Sequence, residues 1–334
     1  MTQTRGRRSS VRRPRIGLAI VFAALAADER EAIERAWRAA AGVAGHWTPA
    51  FVRTGVVPIT NAPPADLLVY LGESSRFDSV AGALAEKIPA LFVKSTVERL
   101  LEAPAGAPRR YRMCTGVRGI ARALASVAPP CPTLDWTRLP WPETVSHLCH
   151  LDEAEQRYVN VSVAAFREAM ASRGVPWQTV VPPGGSPFSV FMTIHDPAAA
   201  ALTATALERW AGCTVLAADG MVAIQAPDGE PWSDRLTRVR HWSPRIRSRS
   251  NALFRAALDG GPLPDFDSAG MLFGTLAFLD RALGAGARPH RLEDAGVQWG
   301  PLGLTRLTES GRPYPERLVV FQGRNHKVVT IDES

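Results

Sequence analysis

Cys149 stands close to His147 and His150, a grouping in which a thiolate nucleophile with an imidazole base could be assembled. Read as part of the strand-like run Thr144–Cys149, these residues alternate between two faces, and adjacent ones point apart. The other three cysteines, Cys114, Cys131 and Cys213, are far apart, with no C-x-x-C pair and no His/Cys cluster at zinc-finger spacing. No metal centre follows, and Cys149 and Cys213 sit in apolar stretches where a thiol acts as a small hydrophobe. There is no G-x-S-x-G elbow, no P-loop, no H-E-x-x-H and no complete G-x-G-x-x-G after the first strand. Gly184-Gly185 lies in a Pro-rich turn without the following helix that phosphate binding requires. These absences argue against an enzyme and imply no bound cofactor.

The elements around these residues alternate. Arg15–Val21 reads as a buried strand and Ala27–Trp37 as the acidic-starting helix after it. Ala65–Leu71 is a strand ending at Gly72, Ser79–Lys87 a helix, and Ile88–Val93 a further strand leading to Ser95 and Thr96. A second series follows: a helix through Tyr158 to Arg173, strand-like Trp177–Val181 and Phe188–Ile194, a helix opening near Asp196-Pro197, and the strand Thr214–Ala218. A long helix spans Ser268–Leu283, with β-like runs at Leu318–Gln322 and Lys327–Thr330. Short apolar runs alternating with amphipathic helices make parallel sheets covered on both faces, so the fold class is α/β. Five prolines from Pro129 to Pro142 mark an expected crossing between lobes.

At 334 residues the chain has room for two domains, and no apolar run reaches the roughly 18 residues of a membrane-spanning helix. Six arginines in the first fifteen residues carry most of the +7 net charge and leave about +1 for the remainder. A nucleic-acid partner is therefore not expected. The segment 1–26 has the three-part form of a secretory signal, yet its apolar stretch also forms the expected first strand. Retention of that strand, and with it a cytoplasmic location, is the favoured reading over export to the periplasm.

Three stretches together resemble the branched-chain amino-acid (Leu/Ile/Val)-binding branch of the type I periplasmic binding proteins. The first runs from Leu68–Ser75 through Ile88-Pro89 to Lys94–Leu100 and on to Arg110–Thr115; the second is Val215–Gly220; the third is Trp299–Gly311 with Val319–Gln322. The resemblance implies two Rossmann-like lobes with parallel sheets joined by three crossings. By position the crossings are expected near Pro130 to Pro142, Trp242-Ser243 and Trp299 to Pro301. Residues 1–14 are then a basic tail, 15–135 plus 244–299 the N-terminal lobe, and 136–243 plus 300–330 the C-terminal lobe.

Carried over residue by residue, the resemblance implies ligand contacts from Ser74 and Ser75, from Ser95 and Thr96, from Asp219 as the acid facing a cationic group, and from His195. Each has a plainer reading: the hydroxyls could cap the next helix, Asp219-Gly220 could be a turn, and His195 could be structural. The implied function is binding of a small polar solute, such as an amino acid or amide, by lobe closure. The partner would be an ABC permease if the chain is exported and a regulatory protein if it is cytoplasmic. The alternative is a scaffold that keeps the fold and acts through protein contacts. The region from Ala41 to Ala65 departs from the family, being shorter and less regular than its usual turn, strand and helix.

Overall fold

The computed structural model describes residues 15–22, 27–55, 57–59, 64–72, 74–193, 198–218, 233–323 and 325–331. The first half is built from β1 (Ile16–Phe22), α1 (Ala27–Val43), β2 (Trp47–Thr54), β3 (Leu67–Leu71), α2 (Phe77–Ala85), β4 (Ala90–Phe92) and β5 (Arg110–Arg112). The strands form one parallel sheet in the order β2-β1-β3-β4-β5. β1 is the continuous apolar run IGLAIVF and sits between two neighbours, as a strand buried on both faces must. β2 occupies the stretch expected to be irregular. It is an edge strand in which only Trp47 is fully buried, and an edge tolerates Pro49 because no partner there needs its missing N–H.

α3 (Val117–Val127) follows, and its apolar face opens the second half. Next come β6 (Thr133–Asp135), α4 (Glu143–Ser146), α5 (Glu153–Ala171), β7 (Trp177–Gln178), β8 (Phe188–Met192), α6 (Ala198–Arg209), β9 (Cys213–Ala217) and β10 (Leu236–Arg240). These five strands are parallel in the order β7-β6-β8-β9-β10. The stretch read as a strand around Cys149 is helical: α4 continues into a 3-10 turn, His147–Cys149, with extended Pro142 at its N-cap. Proline's fixed φ suits such an entry. The expected helix opening at Asp196-Pro197 lies outside the described residues.

The chain then returns to the first sheet with α7 (Arg249–Ala257) and α8 (Asp267–Gly284). A small antiparallel sheet follows, β11 (Gln298–Gly300), β12 (Gly303–Leu307) and β13 (Pro313–Tyr314), and the hairpin β14 (Glu316–Gln322) and β15 (Asn325–Ile331) completes the fold. β14 pairs antiparallel with β10, so the second sheet continues past β10 to β14 and β15.

Alternation along the strands assigns the helices to faces. Leu18, Ile20 and Phe22 of β1 face the side covered by α1 and α8, with Ile33, Ala36, Leu272, Leu276 and Leu279. Ala19 and Val21 face α2, with Phe77 and Val80. In the second sheet Val190, Met192 and Val215 meet Leu202 and Ala206 of α6, while Phe191, Leu216 and Val320 meet Ile120 and Leu124 of α3 and Phe166 of α5.

These contacts locate the passages between lobes. Met113 and Cys114 are in the first core and Ile120 in the second, so the first passage is at Thr115-Gly116, earlier than the Pro130–Pro142 segment. The prolines form turns within the second lobe, because the apolar face of α3 matches α5 and β14 better than anything in the first lobe. The second passage leaves β10 at Arg240 and enters the first core at Trp242. The third comes after Leu307, which is still in the first core, and before β14, so it lies later than Trp299–Pro301. Accordingly residues 117–135 pack with the second lobe and 300–307 with the first, a correction to both expected boundaries. Among the described residues no helix is long and apolar enough to cross a membrane.

Candidate ligand cleft

β5 and β10 each run at their carboxyl ends into a passage, and β14 begins beside the carboxyl end of β10. The carboxyl edges of both parallel sheets therefore meet at the junction, the place where α/β sheets hold ligands in the crevice beyond their strands.

Three loops of the first lobe are laced together here. Ser95 and Thr96, directly after β4, are buried at 1% and 4% exposure. The Ser95 hydroxyl donates to the Gly72 carbonyl at 3.4 Å, joining the loops after β4 and β3. The Ser95 carbonyl accepts from the Cys114 thiol at 3.3 Å, and that of Thr96 accepts from the Val117 amide at 3.2 Å, which adds the loop after β5. The helix-cap reading does not hold for this pair, since the 3-10 turn Glu98–Leu101 has Val97 at its N-cap and no side-chain cap. Ser74 is half-buried in the 3-10 turn Ser74–Arg76, and Arg76, not a serine, occupies the N-cap of α2. Ser75 shares that turn; its side chain is outside the described part. His195 and Asp219 both lie outside the described residues. The structure thus brings Ser74, Ser95 and Thr96 to one edge and turns the Ser95 hydroxyl inward, toward the neighbouring loop.

Two charged groups at this edge escaped the sequence reading. Lys94 Nζ lies 3.6 Å from Asp267 Oδ2 in the first turn of α8, with the Asp267 side chain fully buried and Lys94 20% exposed. The same Oδ2 accepts from the His241 amide at 3.2 Å in the second passage, and Ser268 donates to Glu29 in the first turn of α1. A carboxylate at the start of a helix is stabilised by the amides there. An aspartate before a long apolar helix is the only sequence signal for it.

The second group surrounds Arg112, the last residue of β5, which is 1% exposed. One terminal nitrogen donates to the Thr96 carbonyl at 3.2 Å and lies 3.3 Å from Glu98 Oε1; the other lies 3.2 Å from Glu316 Oε1. Arg312 meets the second oxygen of Glu98 at 3.1 Å. Burial works against the Arg112 charge, but the carboxylates of Glu98 and Glu316 act the other way, and the guanidinium stands above its ordinary value. Burial likewise pushes Glu316 above the usual carboxylate range, against the pull of Arg112.

Met113, Cys114 and His241 near the passages, Met271 of α8, Thr305 of β12 and Arg317 of β14 line a cavity of about 20 Å³, room for about one water and too small for a solute. Among the described residues no group of three or more His, Cys, Asp or Glu side chains is placed to hold a metal ion.

No protein-family model matches the sequence, and no curated protein matches it. Solved structures do. A solute-binding protein of an ABC transporter from Rhodopseudomonas palustris BisB5, in complex with 3,4-dihydroxybenzoic acid, aligns with a TM-score of 0.64 at 14% identity over 95% of this chain and 96% of its own. An ABC-transporter substrate-binding protein from Desulfitobacterium hafniense in complex with Leu aligns at 0.64 and 12% identity over 95% and 100%. The leucine-binding protein LivK of Thermotoga maritima MSB8 aligns at 0.62 and 15% identity over 95% and 98%. All three are solute-binding proteins, and across almost its whole length this chain has their two-lobed type I periplasmic-binding-protein fold.

Proposed function

We propose that this chain is a receptor for a small polar solute that acts by closing its two lobes. The observation that carries the reading is the meeting of two parallel sheets of the same strand order at their carboxyl edges, with laced loops and buried polar groups on the first lobe's side. Proteins of this fold bind Leu and 3,4-dihydroxybenzoic acid, so amino acids, amides and small aliphatic or aromatic carboxylates form the solute class to test. Ser74, Ser75, Thr96, His195 and Asp219 are the proposed contacts, with Ser95 acting through the loop it ties to Gly72.

The cytoplasm is the proposed location, supported by the burial of β1 between β2 and β3: cleavage near residue 27 would remove an interior strand of the first sheet. A regulatory protein is then the partner, and an ABC permease would be the partner of an exported form. An intact N-terminus in the cytosolic fraction is the expected result, and a mature form starting near residue 27 would contradict it.

A thermal-shift screen of the full-length protein against this solute panel tests the function. A ligand at 100 times its dissociation constant adds about 2.7 kcal/mol of stability, a visible shift. Silence across the panel would favour the scaffold reading. With a hit bearing an ammonium group, Asp219→Ala is expected to abolish the shift while leaving the unliganded transition in place.

A further inference from the structure

The members of the ion-pair network at Arg112 straddle the lobes. We propose that Arg112 is a positioning residue that holds the ligand loop after β4 in shape and couples it to the second lobe through Glu316. The proposal rests on the solute-binding reading and adds to it the route by which the loop and the lobes move together.

Thr96 and Glu98 belong to the loop after β4, and Glu316 opens β14 in the second sheet. A guanidinium this deeply buried needs its charge met, and the two terminal nitrogens of Arg112 reach three acceptors where a lysine offers a single point charge, while its Nε is buried without a hydrogen-bond partner. Space for the network comes from two glycines. A Cβ at Gly116 would lie 2.2 Å from Glu98 Oε1 and 2.5 Å from an Arg112 terminal nitrogen, and one at Gly119 would lie 2.5 Å from Glu316 Oε2. Gly116 lies in the first passage and Gly119 in the first turn of α3 after it. The Thr115 hydroxyl donates to the Arg317 carbonyl at 2.9 Å, a second strap from that passage to the start of β14. A change in the lobe angle therefore pulls on Arg112, and through it on the backbone of Thr96.

Hydrogen exchange of the ligand-free full chain tests this with Glu316→Gln and Arg112→Lys. If the coupling exists, a change made only on the second-lobe side, Glu316→Gln, speeds exchange across residues 94–99 at least threefold while β1 and β3 keep their protection, and Arg112→Lys gives the same pattern. Faster exchange confined to β14 and β15, or spread evenly over both lobes, overturns the proposal. Should Arg112→Lys fail to fold, Glu316→Gln carries the test alone. The measurement needs no solute, so its failure is separate from failure of the binding reading: loop and lobe can prove coupled in a chain that binds nothing on the panel, or uncoupled in one that does.

Discussion

The two lobes share one strand order and differ in how the order is finished. In the first, β5 is the last strand, and its outer edge is met by the loop after β12, where the Arg112 amide donates to the Gly311 carbonyl at 2.8 Å. In the second, the corresponding strand β10 is followed by the antiparallel hairpin β14–β15. Both edges are closed by the final stretch of the chain. The helices show the same exchange, since α7 and α8 come from after the second lobe's parallel strands to cover the first sheet, while α3 precedes those strands and covers the second. Neither lobe's core is a continuous piece of sequence, and stability in one is expected to depend on the other.

The strongest way to break that comparison is to damage each core separately. Phe273 of α8 stacks on Phe254 at 4.3 Å, and Phe166 of α5 on Phe191 at 4.2 Å. Truncation of either to alanine is expected to cost about 3–5 kcal/mol. In urea unfolding followed by fluorescence, both variants should shift one shared transition; two transitions, each moved by only one variant, would show the lobes to be independent.

Next in size is the buried pair at the cleft. Lys94→Met leaves Asp267 without its cation and is expected to destabilise by about 3 kcal/mol. Adding Asp267→Asn should restore most of the loss, and additive effects in the double-mutant cycle would mean that the two side chains do not interact. A smaller effect is confined to the second lobe: Asp152 and Glu155 form a reciprocal capping box at the start of α5, so Asp152→Ala should cost about 1 kcal/mol by the same unfolding assay. The gentlest probe is thiol labelling. Burial pushes the Cys213 thiol up to about 12, so in the folded protein at mildly alkaline pH it should stay unlabelled by iodoacetamide while the half-buried Cys131 reacts. Equal labelling of the two would show that the second lobe opens readily.

Much of the fold was legible because it rests on local pattern. Apolar runs marked β1, β3, β8 and β9, and the long apolar helix α8 was plain. β2 was not, because an edge strand carrying Pro49 and burying one residue has little hydrophobic signal. The first passage was placed too late because prolines mark turns without saying which core the flanking helix joins; the face of α3 decides that, and its partners lie far along the chain. At the site, Ser95 and Thr96 were legible as residues after a strand, but the inward turn of the Ser95 hydroxyl depends on the packing of neighbouring loops. Lys94 with Asp267, and Arg112 with Glu316, are pairs made by the return of the chain. Arg112, set between Tyr111 and Met113, hints that a partner is needed without naming it.

Small-angle X-ray scattering of the full chain, alone and with each solute of the panel, tests the central claim most directly. The account predicts that at least one solute contracts the particle as the lobes close. A profile that stays unchanged with every solute, including any that raises the melting temperature, would contradict it.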